Sequence, residues 1–135
     1  MRYILVLLLA IFMVSCSSTQ KKINPNFKDS KVENDTIIIA NDSLEYEIII
    51  FEPGFNSWLA TQRPRGYYNQ NYMEQRNQFF VTNYNIRANN PMRYSTNLYP
   101  QQIDYEFNVD YGYEVNYLLY HYFLYFQQKY NQRLR

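Results

Sequence analysis

One cysteine, Cys16, one histidine, His121, and three glycines are all that a chain of 135 residues holds of these types. A single thiol closes no intrachain disulfide and supplies no multi-thiolate metal site. If that thiol is consumed elsewhere, cysteine nucleophile chemistry goes with it. Charge of one sign is also missing, with 13 basic against 12 acidic residues. Such a balance lacks the clustered basic face that binds nucleic acid, so no nucleic-acid partner is expected. Long hydrophobic runs are scarce too. The one unbroken stretch, Ile4 to Val14, is about half of the roughly 20 residues that cross a bilayer.

That stretch follows Met1-Arg2-Tyr3 and ends in the small residue Ser15, the layout of a signal peptide over residues 1–15. Met13-Val14-Ser15-Cys16 resembles the lipobox of bacterial lipoproteins, in which an aliphatic and two small residues precede the cysteine. What the resemblance implies is lipidation of Cys16, the thiol accepting a diacylglyceryl group. Each buried methylene contributes about 0.8 kcal/mol, so several acyl chains anchor stably where one does not. The residues after it, Ser17-Ser18-Thr19-Gln20-Lys21-Lys22, begin without aspartate and contain no acidic run. By resemblance to lipoprotein sorting, this implies the outer membrane, facing the periplasm. The expected partners are the membrane, through the lipid, and an envelope protein or the cell wall. No cofactor is expected.

Sixteen tyrosines and nine phenylalanines dominate what remains. Each tyrosine brings a large apolar ring to bury and a hydroxyl that needs a partner. Residues 16–35 carry the lipidated cysteine and a polar, Lys- and Asn-rich stretch, expected as a flexible tether spanning roughly 25 Å. Residues 36–135 are expected to form one globular domain, α+β in class, with a β-hairpin packed on two to three helices.

The hairpin is read from Thr36–Ala40 and Leu44–Phe51, β-branched runs separated by Asn41-Asp42-Ser43. Glu45 and Glu47 give way to Ile49 and Phe51 on the second strand, which predicts cover on both faces of its later half. Pro53-Gly54 breaks the strand, and Asn56 is the expected cap of a short helix holding Trp58 and Leu59. A second helix is expected from about Asn69 to Ala88, with Tyr72, Phe79, Phe80 and Ile86 on its apolar face beside Met73 and Tyr84. Phe80-Val81-Thr82 leaves a strand open as the alternative. Residues 91–112 read as irregular, which marks either a functional loop or a missed element.

The last helix, about Tyr113 to Tyr130 behind Asp110, is apolar on two sides. Val115, Leu118, Leu119, Tyr122, Phe123, Phe126 and Tyr130 make one; Tyr113, Tyr117, Tyr120 and Leu124 make the other. Glu114, His121 and Gln128 lie on one polar seam, Asn116 and Gln127 on another. Such a helix is sandwiched, or it keeps a side for a partner.

No catalytic residue and no metal ligand is assigned. His121 reads as a seam residue, two turns from Glu114. Asp104, Glu106, Asn108 and Asp110 alternate like oxygen ligands, but Val109 and Val115 stand where a calcium loop needs glycine and glutamate. Asp104, Glu106, Asp110 and Glu114 could serve a hydrolase acting on envelope polysaccharide or peptidoglycan. The candidate binding surface is Trp58, Arg63, Arg65, Tyr67 and Tyr68 with Tyr113, Tyr117 and Tyr120, because guanidinium groups beside aromatics bind carboxylates, phosphates or sugars. A sugar- or peptidoglycan-binding module would show coplanar exposed aromatics there.

Glu52-Pro-Gly-Phe-Asn-Ser-Trp-Leu59, Arg63-Pro-Arg-Gly-Tyr-Tyr68, Asp104 through Tyr117, and the ending Lys129-Tyr-Asn-Gln-Arg-Leu134 resemble a family of small uncharacterised lipoproteins of Bacteroidota-type bacteria. The likeness spans roughly residues 36 to 134. It implies a domain of unknown function and a compartment, and no reaction. The function expected overall is a non-catalytic binding or structural module of the cell envelope.

Overall fold

The computed structural model describes residues 36–44 and 46–135. The signal peptide, Cys16, the tether and Glu45 lie outside the described residues. The domain is α+β: strands β1 (Thr36–Asn41) and β2 (Tyr46–Phe51), then helices α1 (Phe55–Leu59), α2 (Gln70–Ala88) and α3 (Gly112–Lys129). Among the described residues, no helix is long and apolar enough to cross a membrane.

β1 and β2 pair antiparallel, with Ile37 opposite Ile50 and Ile39 opposite Ile48. These four share one face of the hairpin because side chains alternate along a strand. Ile37 and Ile39 are buried, and Ile48 and Ile50 pack half-buried against the same core. The other face departs from expectation. Ile49 and Phe51 remain 59% and 69% exposed, because the helices form a single layer on the Ile37 side.

Pro53 and Gly54 turn the chain from β2 into α1. Gly54 caps α1 at φ 86°, a left-handed conformation; a Cβ there would also meet the Tyr125 hydroxyl at 2.9 Å. Asn56, the expected cap, lies inside the helix instead.

Asn69 does cap α2, its Oδ1 accepting from the Tyr72 amide at 2.8 Å. The buried stripe of α2 is Met73, Asn77, Phe80, Val81 and Tyr84, a helical spacing. The strand alternative at Phe80–Thr82 is not taken. Tyr72, Phe79 and Ile86, assigned to that stripe from hydropathy, are exposed. A polar residue occupies the core position that apolar periodicity sought: Asn77 donates to the Asn116 carbonyl at 3.0 Å and to its Oδ1 at 3.1 Å. Tyr105 donates to the same Oδ1 at 2.7 Å, and Asn116 Nδ2 donates to the Gly112 carbonyl at 2.9 Å. α2, α3 and the loop before α3 therefore share one buried amide.

Residues 89–111 form turns and irregular chain, yet Tyr99, Ile103, Tyr105 and Tyr111 are buried. The side-chain amide of Asn85 bonds both the N–H and the C=O of Ile103 at 2.8 Å, as a neighbouring strand would. Asp110 serves the start of α3 by accepting from the Gly112 amide at 2.9 Å, one residue before the expected boundary. α3 is covered on both sides: every residue from Val115 to Phe123 is buried.

His121 is enclosed in this layer, with Nδ1 2.8 Å from the Tyr117 carbonyl. Burial lowers its pKa below 6.5, while that carbonyl opposes the shift and Arg65 adds to it. The unfolded chain thus binds a proton that the folded domain resists. Stability should be complete above pH 6.5 and fall as pH drops below it, by up to about 1.4 kcal/mol per pH unit. Urea denaturation of the wild type and of His121→Phe at pH 5 and 7.5 checks this, the variant showing the smaller loss.

Candidate functional site

Two regions gather chemistry-bearing side chains. The first is the turn 63–68, which lies across α3. Arg65 forms a bidentate ion pair with Glu114 through Nε and Nη2, its Nε standing 3.0 and 2.9 Å from the two oxygens. The same guanidinium sits 4.4 Å above the Tyr117 ring. Tyr113 accepts from the Gly66 amide at 2.7 Å and donates to the Tyr68 carbonyl. Tyr117 donates to the Arg63 carbonyl at 3.3 Å. The turn is a cover, pinned to α3 by the tyrosines beneath it.

This arrangement divides the candidate residues. Tyr117 and Tyr120 are only 3% and 4% exposed, so they lie under the turn and offer no surface. Tyr113 is half-buried, and Trp58 packs on Phe55 and Tyr125 while its indole N–H donates to Gln128 at 2.9 Å. Arg63 and Tyr67 stay at the surface, with the Arg63 guanidinium 4.8 Å over the Tyr67 ring, while Tyr68 is half-buried against the core. Tyr68 and Tyr72 lie near-parallel, 14° apart with centroids at 5.2 Å, while Tyr67 stands at 85° to Tyr68. Stacked rings lie in parallel planes, not in one, so Tyr67, Tyr68 and Tyr72 do not form a coplanar set.

The acids at 104–114 do not converge. Glu114 is held by Arg65, Asp110 accepts from Gly112 and from Gln70 Nε2 at 2.6 Å, and Asp104 and Glu106 are exposed. Among the described residues, no group of three His, Cys, Asp or Glu side chains is placed to hold a metal ion.

The second region is a groove of about 480 Å³ between β2 and the loop 97–104. Its volume is that of an ordinary ligand cleft. All six residues from Glu47 to Glu52 line it, although their side chains alternate between faces. The groove therefore runs along the edge of the strand. Its floor is aromatic, with Tyr84, Tyr122 and Phe126. Burial pushes the Tyr84 hydroxyl up to about 12, so the floor is uncharged at neutral pH.

Two contacts frame this groove. The Tyr46 hydroxyl donates to the Asp104 carbonyl at its start. At its far end Glu52 accepts from Lys129 at 2.8 Å and from Tyr130 at 2.9 Å. Hydropathy alone could not point to the groove, because one wall is the irregular segment 97–104. The sequence signal that remained was the apolar later half of β2, with Ile49 and Phe51.

Truncation separates cover from core. Tyr117→Ala should cost about 3 kcal/mol or more, and the combined alanine variant of Tyr113, Tyr117 and Tyr120 should unfold the domain. Arg65→Met, which removes a half-exposed ion pair, should cost no more than about 1 kcal/mol. Thermal denaturation followed by near-ultraviolet circular dichroism measures all three.

A search of curated proteins and of solved structures finds no match to this chain. Residues 4–135 match a family of unknown function, DUF6146. With nearly its whole length matched, the chain belongs to that family.

Proposed function

We propose that this chain is an envelope lipoprotein, held by a lipid on Cys16 and presenting residues 36–135 as a non-catalytic binding module at the periplasmic face of the outer membrane. The observation that carries the reading is the apolar run Ile4–Val14 closed by Met13-Val14-Ser15-Cys16. The family match spans residues 4–135, a range that includes both the run and the cysteine. Support also comes from the domain: among the described residues the core runs from Ile37 to Leu134, well downstream of Cys16.

The module part of the reading is supported by the distribution of chemistry. The carboxylates are spread among a structural ion pair, a helix start and open surface, while the aromatic-floored groove lies along a strand edge. A strand edge binds through backbone hydrogen bonds, which suits recognition of chain more than bond cleavage.

Mass spectrometry of the N-terminal peptide from the membrane fraction tests the anchor. The expected product begins at Cys16 and carries acyl chains. Cys16→Ser should abolish the lipid mass and release the protein from membranes, with the melting temperature of the domain unchanged. An unmodified Cys16, or membrane retention of the serine variant, would contradict the proposal.

A further inference from the structure

The geometry points to the groove along β2 as the seat of an extended, basic segment of a partner protein, added to the hairpin as a third strand. This deepens the module reading and rests on it.

A two-stranded hairpin has two edges, and an uncovered edge is a template for another chain. β1 pairs with β2, and on the other side of β2 stands the groove, with the loop 97–104 as its far wall. Six consecutive residues of β2 and its extension face that space, a length of about 20 Å in extended chain. Ile49 and Phe51 flank it as exposed apolar side chains, and Tyr84, Tyr122 and Phe126 floor it. An added strand would place alternate side chains on that floor and the others beside Ile49 and Phe51.

Charge selects the occupant. Among the described residues, those lining the groove include Glu47, Glu52 and Asp104 and no lysine or arginine. Glu52 is neutralised by Lys129. Glu47 and Asp104 are exposed, and both line the groove near its start, where the Tyr46 hydroxyl donates to the Asp104 backbone carbonyl. Their carboxylates thus mark one end of the groove as negative, complementary to lysine or arginine on the incoming strand.

A second copy of this chain fits poorly. Its own β2 carries a loop 97–104 on the same edge, so two such edges meeting would bring loop against loop. A bare extended segment has no such wall.

The probe is a fluorescently labelled peptide of alternating lysine and valine, titrated by anisotropy against the full chain in detergent. An alternating glutamate–valine peptide and two lysine peptides N-methylated at alternate amides, one in each phase, are the controls. The lysine peptide should bind at least tenfold more tightly than the glutamate peptide. The double variant Glu47→Lys, Asp104→Lys should invert that order, and N-methylation in one phase should weaken binding at least tenfold. Absence of binding, equal binding of the two charge types, or indifference to methylation in both phases overturns the proposal. So does a chain dimer that the peptide dissociates, which assigns the groove to a second copy. Binding that requires deletion of residues 17–35 assigns it to the chain's own segment and overturns it equally. Cys16→Ser should leave the titration unchanged, so failure of the anchor and failure of the groove are read separately.

Discussion

α3 is buried around most of its circumference, and everything else in the domain follows from having to cover a helix that carries five tyrosines. A tyrosine ring can be buried like any apolar group, but its hydroxyl cannot be left without a partner. The chain answers this by laying carbonyl groups where the hydroxyls emerge. Tyr125 donates to Pro53 at 2.6 Å, Tyr117 to Arg63, and Tyr113 to Tyr68. Tyr130, just past the helix, donates to the Glu52 carboxylate. The segment 52–68 has little regular structure of its own; it is held in place by three hydroxyls from α3 and a fourth from the residue that follows it. This explains how a chain so rich in tyrosine forms a packed domain with three glycines and no disulfide.

The same constraint shows which parts of the structure were legible in the sequence. The hairpin, both long helices and the α+β class could be read from periodicity and turn residues. These signals belong to segments that satisfy their own backbone hydrogen bonds. The buried face of α2 was misread because Asn77 occupies the core. An asparagine there is tolerable because Asn116, itself held by Tyr105, comes from a distant segment to accept from its amide, and no local pattern announces that. The two-sided apolarity of α3 correctly indicated a covered helix, whereas the tyrosines on its second side had also suggested a partner surface. The turn 63–68 was invisible as a cover because it bears Arg63 and Arg65 and meets α3 through backbone groups, accepting from Tyr113 and Tyr117 at its carbonyls.

The loop 97–104 is the other case. Read as sequence, it was an irregular stretch that could be functional or a missed element. In the fold it does part of a strand's work without being one: Asn85 pairs with Ile103 through both backbone groups, and Tyr99 sits in the core against Tyr84 and Phe126. A true strand in that position would have closed the edge of β2 by hydrogen bonding to it. A loop pinned elsewhere stands off from the edge and leaves space.

That separation gives the groove rigid walls. Tyr84 and Phe126 belong to the central cluster as well as to the groove floor, so the floor cannot shift without disturbing α2 against α3. A preorganised seat loses less on binding than one that must be assembled. The entry of the chain adds a directional consequence. Thr36, the first residue of β1, pairs with Phe51, so the preceding residues join the hairpin at the end of β2 farthest from Glu47. Under the proposed anchoring through Cys16, the apolar end of the groove lies beside the point of attachment and the acidic end lies beyond it. A basic extended segment would then meet first the carboxylates on the side away from the attachment point, before its apolar residues reach the floor.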